Sequence, residues 1–191
     1  GRPAMGSLAY IALVLALVVA GAVGFLWYRN THVFVEGKAY RMDAQTLDLR
    51  GESISIEHYN QLHALLPDCE ILWNVPFQSG STPSDIDSLT ITDLTDEDIE
   101  RMATYFPNLK KVDARQCSNY LMLEKLLQRL PDLDVNYSVS LGAASFAPDT
   151  TELALGPEDF DLDTLTQNLP HLPQLTSVVL CRTELTLEQV E

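Results

Sequence analysis

Apolar residues fall into three patterns along this chain. From residue 8 to residue 28 they run for 21 positions without a charge, and a helix of that length spans ~30 Å, the thickness of a bilayer's hydrocarbon core. Beyond residue 44, short apolar runs predict strands over 46–49, 70–75, 88–92, 110–114, 134–140, 151–155 and 176–180. Between several of them, apolar positions at helical spacing predict helices over 56–66, 96–106, 120–130 and 162–169. The second helix has the clearest start: Thr95 suits the N-cap, and Asp96, Glu97 and Asp98 load the first turn with negative charge. Ile99, Met102, Ala103 and Phe106 then share one face.

Each helix runs into a proline, at Leu66-Pro67, Phe106-Pro107, Leu130-Pro131 and Leu169-Pro170, with Pro173 close behind. Proline disfavours helix at the residue before it, so the chain must turn there into the next strand. The pattern also recurs at an offset of 64. Leu66-Pro67-Asp68 returns as Leu130-Pro131-Asp132, the Ile71, Trp73, Val75 series as Val135, Tyr137, Val139, and Asp85 and Leu89 as Asp149 and Leu153. A fixed long period predicts stacked copies of one supersecondary unit. Counted from the prolines, the strands form two classes. Leu109, Val112, Ala114 and Leu175, Val178, Leu180 stand at +2, +5 and +7; Ile71, Trp73, Val75 and Val135, Tyr137, Val139 stand at +4, +6 and +8. A one-residue shift reverses a strand's faces, so the second class must be offset in register or apolar on its other face.

The spacing Leu109-x-x-Val112-x-Ala114-x-x-Cys117 resembles the L-x-x-L-x-L-x-x-N/C signature of leucine-rich repeats, and Leu175-x-x-Val178-x-Leu180-x-x-Thr183 is similar. The resemblance implies an α/β, leucine-rich-repeat-like right-handed solenoid with short parallel strands, preceded by one transmembrane helix. It also assigns Cys117 and Thr183 the structural turn position. A membrane span leading into irregular acidic repeats is similar to membrane-anchored cell-surface proteins of Gram-positive bacteria. That likeness implies a repeat domain outside the cytoplasm, presenting a surface to partners or wall components.

The expected organisation is a truncated tail (1–7), a transmembrane helix (8–28), a juxtamembrane connector (29–44) and a repeat domain (45–191) incomplete at its C-terminus. Trp27, Tyr28 and Arg29 close the span as interfacial residues do. A cleavable signal peptide is the rival, because Ala20-Gly21-Ala22 resembles a cleavage site. Ala12, Ala16, Ala20 and Gly24 form a small-residue stripe through which two such helices could dimerise.

Charge narrows the partners. The whole chain carries 27 acidic and 12 basic residues; residues 45–191 hold 25 and 8 of them, a net of −17. Such a domain repels nucleic acid. The three cysteines, Cys69, Cys117 and Cys181, lack zinc-ligand spacing and are odd in number, so they read as small buried hydrophobes. The four histidines, His32, His58, His63 and His171, show no ligand spacing and read as solvated or capping residues. The acidic cluster of Asp85, Asp87, Asp93, Asp96, Glu97 and Asp98 lacks the glycine turn and alternating oxygens of a calcium loop. No nucleophile or phosphate-binding motif is present, and no cofactor is expected. Trp73 and Tyr137, equivalent under the 64-residue offset, read as core aromatics or as aromatics of a binding face. The expected role is a membrane-anchored recognition or scaffolding module for a protein or cell-wall partner, without catalysis. The alternative is a spacer or accessory part of a larger surface enzyme.

Overall fold

In the computed structural model, which describes residues 4–181, the long apolar run forms helix α1 (Ala4–Thr31). Residues Gly6–Thr31 are long and apolar enough to cross a membrane, with 0% of their most apolar window buried in the protein. A signal sequence near an N-terminus has the same character. The chain divides into two compact units, Gly1–Pro76 and Phe77–Glu191.

In the first unit, α1 passes without a linker into β1 (His32–Val35), which pairs antiparallel with β2 (Lys38–Arg41). The two-residue turn, Glu36 and Gly37, has φ of +48° and +79°. Positive φ at both positions matches the right-handed twist of the flanking strands. A β-α-β unit follows: β3 (Thr46–Asp48), α2 (Ile56–Leu65) and β4 (Glu70–Leu72), with the strands parallel and Leu47 opposite Ile71. Ser55 caps α2 by accepting from the His58 backbone N–H. Leu62, Trp73 and Val75 are fully buried, and Tyr59 stacks on Trp73 at 4.4 Å. Strand β5 (Asn74–Phe77) straddles the division between the units.

The second unit continues with β6 (Gly80–Pro83), then alternates β7 (Ser88–Thr90), α3 (Asp96–Tyr105), β8 (Lys111–Asp113), α4 (Tyr120–Arg129) and β9 (Asp134–Asn136). The last three strands form one parallel sheet in the order β7-β8-β9. An antiparallel hairpin, β10 (Val139–Ser140) and β11 (Ser145–Phe146), comes next. After it, β12 (Glu152–Leu155) pairs parallel with β13 (Ser177–Leu180) across α5 (Leu162–Asn168) and a 3₁₀ turn, Leu169–His171. Asp161 caps α5 through the Thr164 N–H.

The prolines act through one repeated turn. The N–H of Cys69 donates to the Leu66 carbonyl, Leu109 to Phe106, Leu133 to Leu130 and Leu175 to Leu172. Each is a four-residue turn with proline second, where its fixed φ fits. Pro173 makes the fourth turn, and Pro170 lies within the 3₁₀ segment. The two strand classes meet by an offset in register: Val112, five residues after Pro107, faces Val135, four residues after Pro131.

The leucine-rich-repeat-like right-handed solenoid is not what the chain forms. A solenoid needs each strand to bond the next along one continuous parallel ladder, whereas the described strands fall into six small separate sheets, some antiparallel and some parallel. In the second unit the hairpin β10–β11 intervenes along the chain between the sheet β7-β8-β9 and the pair β12–β13, as a separate sheet. The long strand expected over 134–140 breaks into β9 and β10, and that over 70–75 breaks at Trp73. What recurs is element position: α2 and α4 begin 64 residues apart, as do β4 and β9. Residues 29–44, expected as a connector, hold the end of α1 and the β1–β2 hairpin.

Candidate functional site

The three-stranded sheet β7-β8-β9 has two unlike faces. Leu89, Val112 and Val135 stand in register and turn inward, with Leu89 and Val112 buried. The residues on either side of them point the other way, as strand alternation requires. They form two polar rows, Ser88-Lys111-Asp134 and Thr90-Asp113-Asn136. Five of these six are exposed and Asp113 is partly so. The rows flank a shallow groove of about 360 Å³. It can accept and donate hydrogen bonds along some two strand spacings, and it offers one ammonium and two carboxylates.

One carboxylate of this face is fixed in direction. Arg115 Nε and a terminal guanidinium nitrogen donate to the two oxygens of Asp113 at 2.9 and 2.6 Å, and the Arg115 backbone N–H adds a third bond at 3.2 Å. These bonds hold the Asp113 carboxyl below the usual carboxylate range and push the guanidinium up. The first unit repeats the clasp at the end of β3, where Arg50 binds Asp48 with donor distances of 2.9, 2.7 and 3.1 Å. There the carboxyl is lowered to about 2, chiefly by the Arg50 side chain. Asn74 Nδ2 donates to the Arg50 carbonyl at 2.7 Å. The signal for these clasps was present as Asp-x-Arg at 48–50 and 113–115. So short a pair carries no weight in a sequence until the strand ends are known.

Trp73 and Tyr137 do not line a face. They are 0% and 7% exposed, and burial pushes the Tyr137 phenol up. Their rings lie in the interior where each long apolar run breaks, the core position of the two that the sequence offered. Cys117 is buried in the turn after β8, its backbone N–H donating to Ala114. Burial raises its thiol, against a smaller opposing effect from the Asn119 backbone. Thr183 lies outside the described residues. Ala12, Ala16, Ala20 and Gly24 are exposed along α1.

The acidic cluster has local partners. Asp98 closes a capping box with Thr95, Asp93 accepts from the Leu94 N–H, Asp96 pairs with Lys125, and Glu97 pairs with Arg101. Among the described residues, no group of three or more histidine, cysteine or acidic side chains is placed to hold a metal ion.

His58 departs from the solvated reading: it is 2% exposed. Its Nδ1 lies 2.9 Å from a Glu36 carboxylate oxygen and its Nε2 2.9 Å from the Tyr40 hydroxyl. A carboxylate can only accept, so Nδ1 carries a proton toward Glu36. This chain of bonds ties the turn and the second strand of the β1–β2 hairpin to α2. His171 is partly buried, with Nδ1 2.8 Å from a Glu124 oxygen and its ring beside Tyr120. No protein-family model, curated protein or solved structure matches the chain.

Proposed function

We propose that the chain is a single-pass, membrane-anchored recognition or scaffolding module that works outside the cytoplasm by binding, without catalysis. Its contact surface for a protein or cell-wall partner is the polar face of β7-β8-β9. The observation supporting this reading is the open face itself. Parallel sheets are ordinarily covered on both faces, with strands apolar throughout. Here the second face carries Ser88, Thr90, Lys111, Asp113, Asp134 and Asn136, lying open around a groove. An acidic domain carried on an apolar helix suits a membrane-anchored recognition module.

A photo-crosslinking residue placed at Thr90 or Asn136 in native membranes tests it. The expected result is a discrete adduct, or attachment to wall material, from these positions and not from Glu100 on α3. With the crosslinker at Thr90, combining Lys111→Glu with Asn136→Arg abolishes it. Equal yields from both surfaces would instead indicate a passive spacer and sink the proposal.

A further inference from the structure

We infer that the β1–β2 hairpin is a membrane-contacting foot, with Phe34 and Met42 held in the lipid headgroup layer beside the end of α1. The inference rests on α1 being a retained membrane span.

The geometry fixes both residues at the depth of the last helical turn. The Phe34 ring packs edge-on against Tyr28 at 5.9 Å. The Met42 N–H donates to the Thr31 carbonyl, the final residue of α1, at 2.9 Å. Tyr28 also stacks on His32 at 4.1 Å, so the helix end and hairpin base form one aromatic cluster. Within it, Phe34 is 49% and Met42 54% exposed, next to Trp27 at 65% and Tyr28 at 40%. Aromatic and apolar side chains left open together mark a contact surface.

Continuity names the occupant. The surface is an extension of a helix end that already carries the Trp-Tyr-Arg order of a membrane–water interface. Arg29 lies in the last helical turn, where a cation meets lipid phosphates, while Arg41 at the hairpin base is clasped by Asp43 at 2.9 and 2.6 Å. A cleft of about 550 Å³ opens between the two elements, lined among others by Trp27, His32, Met42 and the Arg41–Asp43 pair.

The test uses the full chain reconstituted in phosphatidylcholine–phosphatidylglycerol vesicles. Phe34→Cys, Met42→Cys and Leu13→Cys are made separately in a Cys181→Ser background and labelled with bimane; Cys69 and Cys117 are buried. Nitroxide lipids then quench from the headgroup or from the bilayer centre. The expected result is several-fold stronger quenching from the headgroup than from the centre at both 34 and 42, and the reverse at 13. If carbonate washing strips the chain from the vesicles, the anchor reading and the foot fall together. If the chain stays and the label at 13 is quenched from the centre, but 34 or 42 is not quenched from the headgroup, the foot alone is overturned. A protein partner at this site gives that second outcome. Stronger quenching at 34 and 42 from the centre also overturns it.

Discussion

At the ends of β3 and β8, a guanidinium and a backbone N–H converge on a single carboxylate, and the ionised form is favoured in the fold. For Asp48 the folded value of about 2 lies below the ordinary 3.8. Its contribution to stability is therefore fully present above the ordinary value and fades as pH falls towards 2. Arg50→Ala should raise the Asp48 midpoint towards 3.8 while leaving that of Asp113 in place; the carboxyl carbon titration followed by NMR reads both. An unchanged Asp48 midpoint would remove the clasp as its cause. Both side chains are substantially exposed, so thermal stability should barely move. Such pairs are legible in a sequence only after the strand ends are placed. His58 was harder still: Glu36 and Tyr40 come from a hairpin that the apolar pattern did not announce.

The helices were the most legible elements, because each has both a start and a stop written locally. Ser55, Thr95, Asn119 and Asp161 all serve as N-caps, and proline turns follow α2, α3 and α4 directly. The hairpin β1–β2 was missed because its turn is Glu-Gly rather than the common Asn-Gly or Asp-Gly. In α3 the Thr95 hydroxyl accepts from the Asp98 N–H at 3.2 Å, and an Asp98 oxygen accepts from the Thr95 N–H at 3.0 Å. Thr95→Ala breaks the reciprocal pair and should cost ~1 kcal/mol in urea unfolding. Lys125→Ala, which removes the exposed pair from α4 to Asp96 on α3, should cost less, and its effect should vanish in high salt. A larger loss for Lys125→Ala than for Thr95→Ala would reverse this ranking of cap over surface pair.

On the scale of the molecule, the 64-residue period recorded where elements begin but not how strands join. Periodicity counts apolar positions, and a strand that ends two residues early leaves almost the same count. The breaks at Trp73 and after Asn136, with the hairpin β10–β11, turn an expected continuous ladder into separate sheets. The apolar helix stands apart from this packing. A chain starting at Asn30 should therefore stay folded and lose its sedimentation with membranes. The lost Tyr28 ring contacts are worth ~1 kcal/mol, or about 2–4 °C in melting temperature. Collapse of the remaining circular dichroism signal would show that α1 is needed for folding. When α1 is present, its junction with the hairpin has a mechanical consequence. Helix ends at Thr31, strand begins at His32, and the Thr31 carbonyl is bonded to Met42, so neither a flexible coil nor a stiff spacer intervenes. Any tilt or rotation of the helix is transmitted as torque to the hairpin, and through the Glu36–His58–Tyr40 bonds to α2. Tension on the folded unit returns along the same path to the helix, with no slack to take up first.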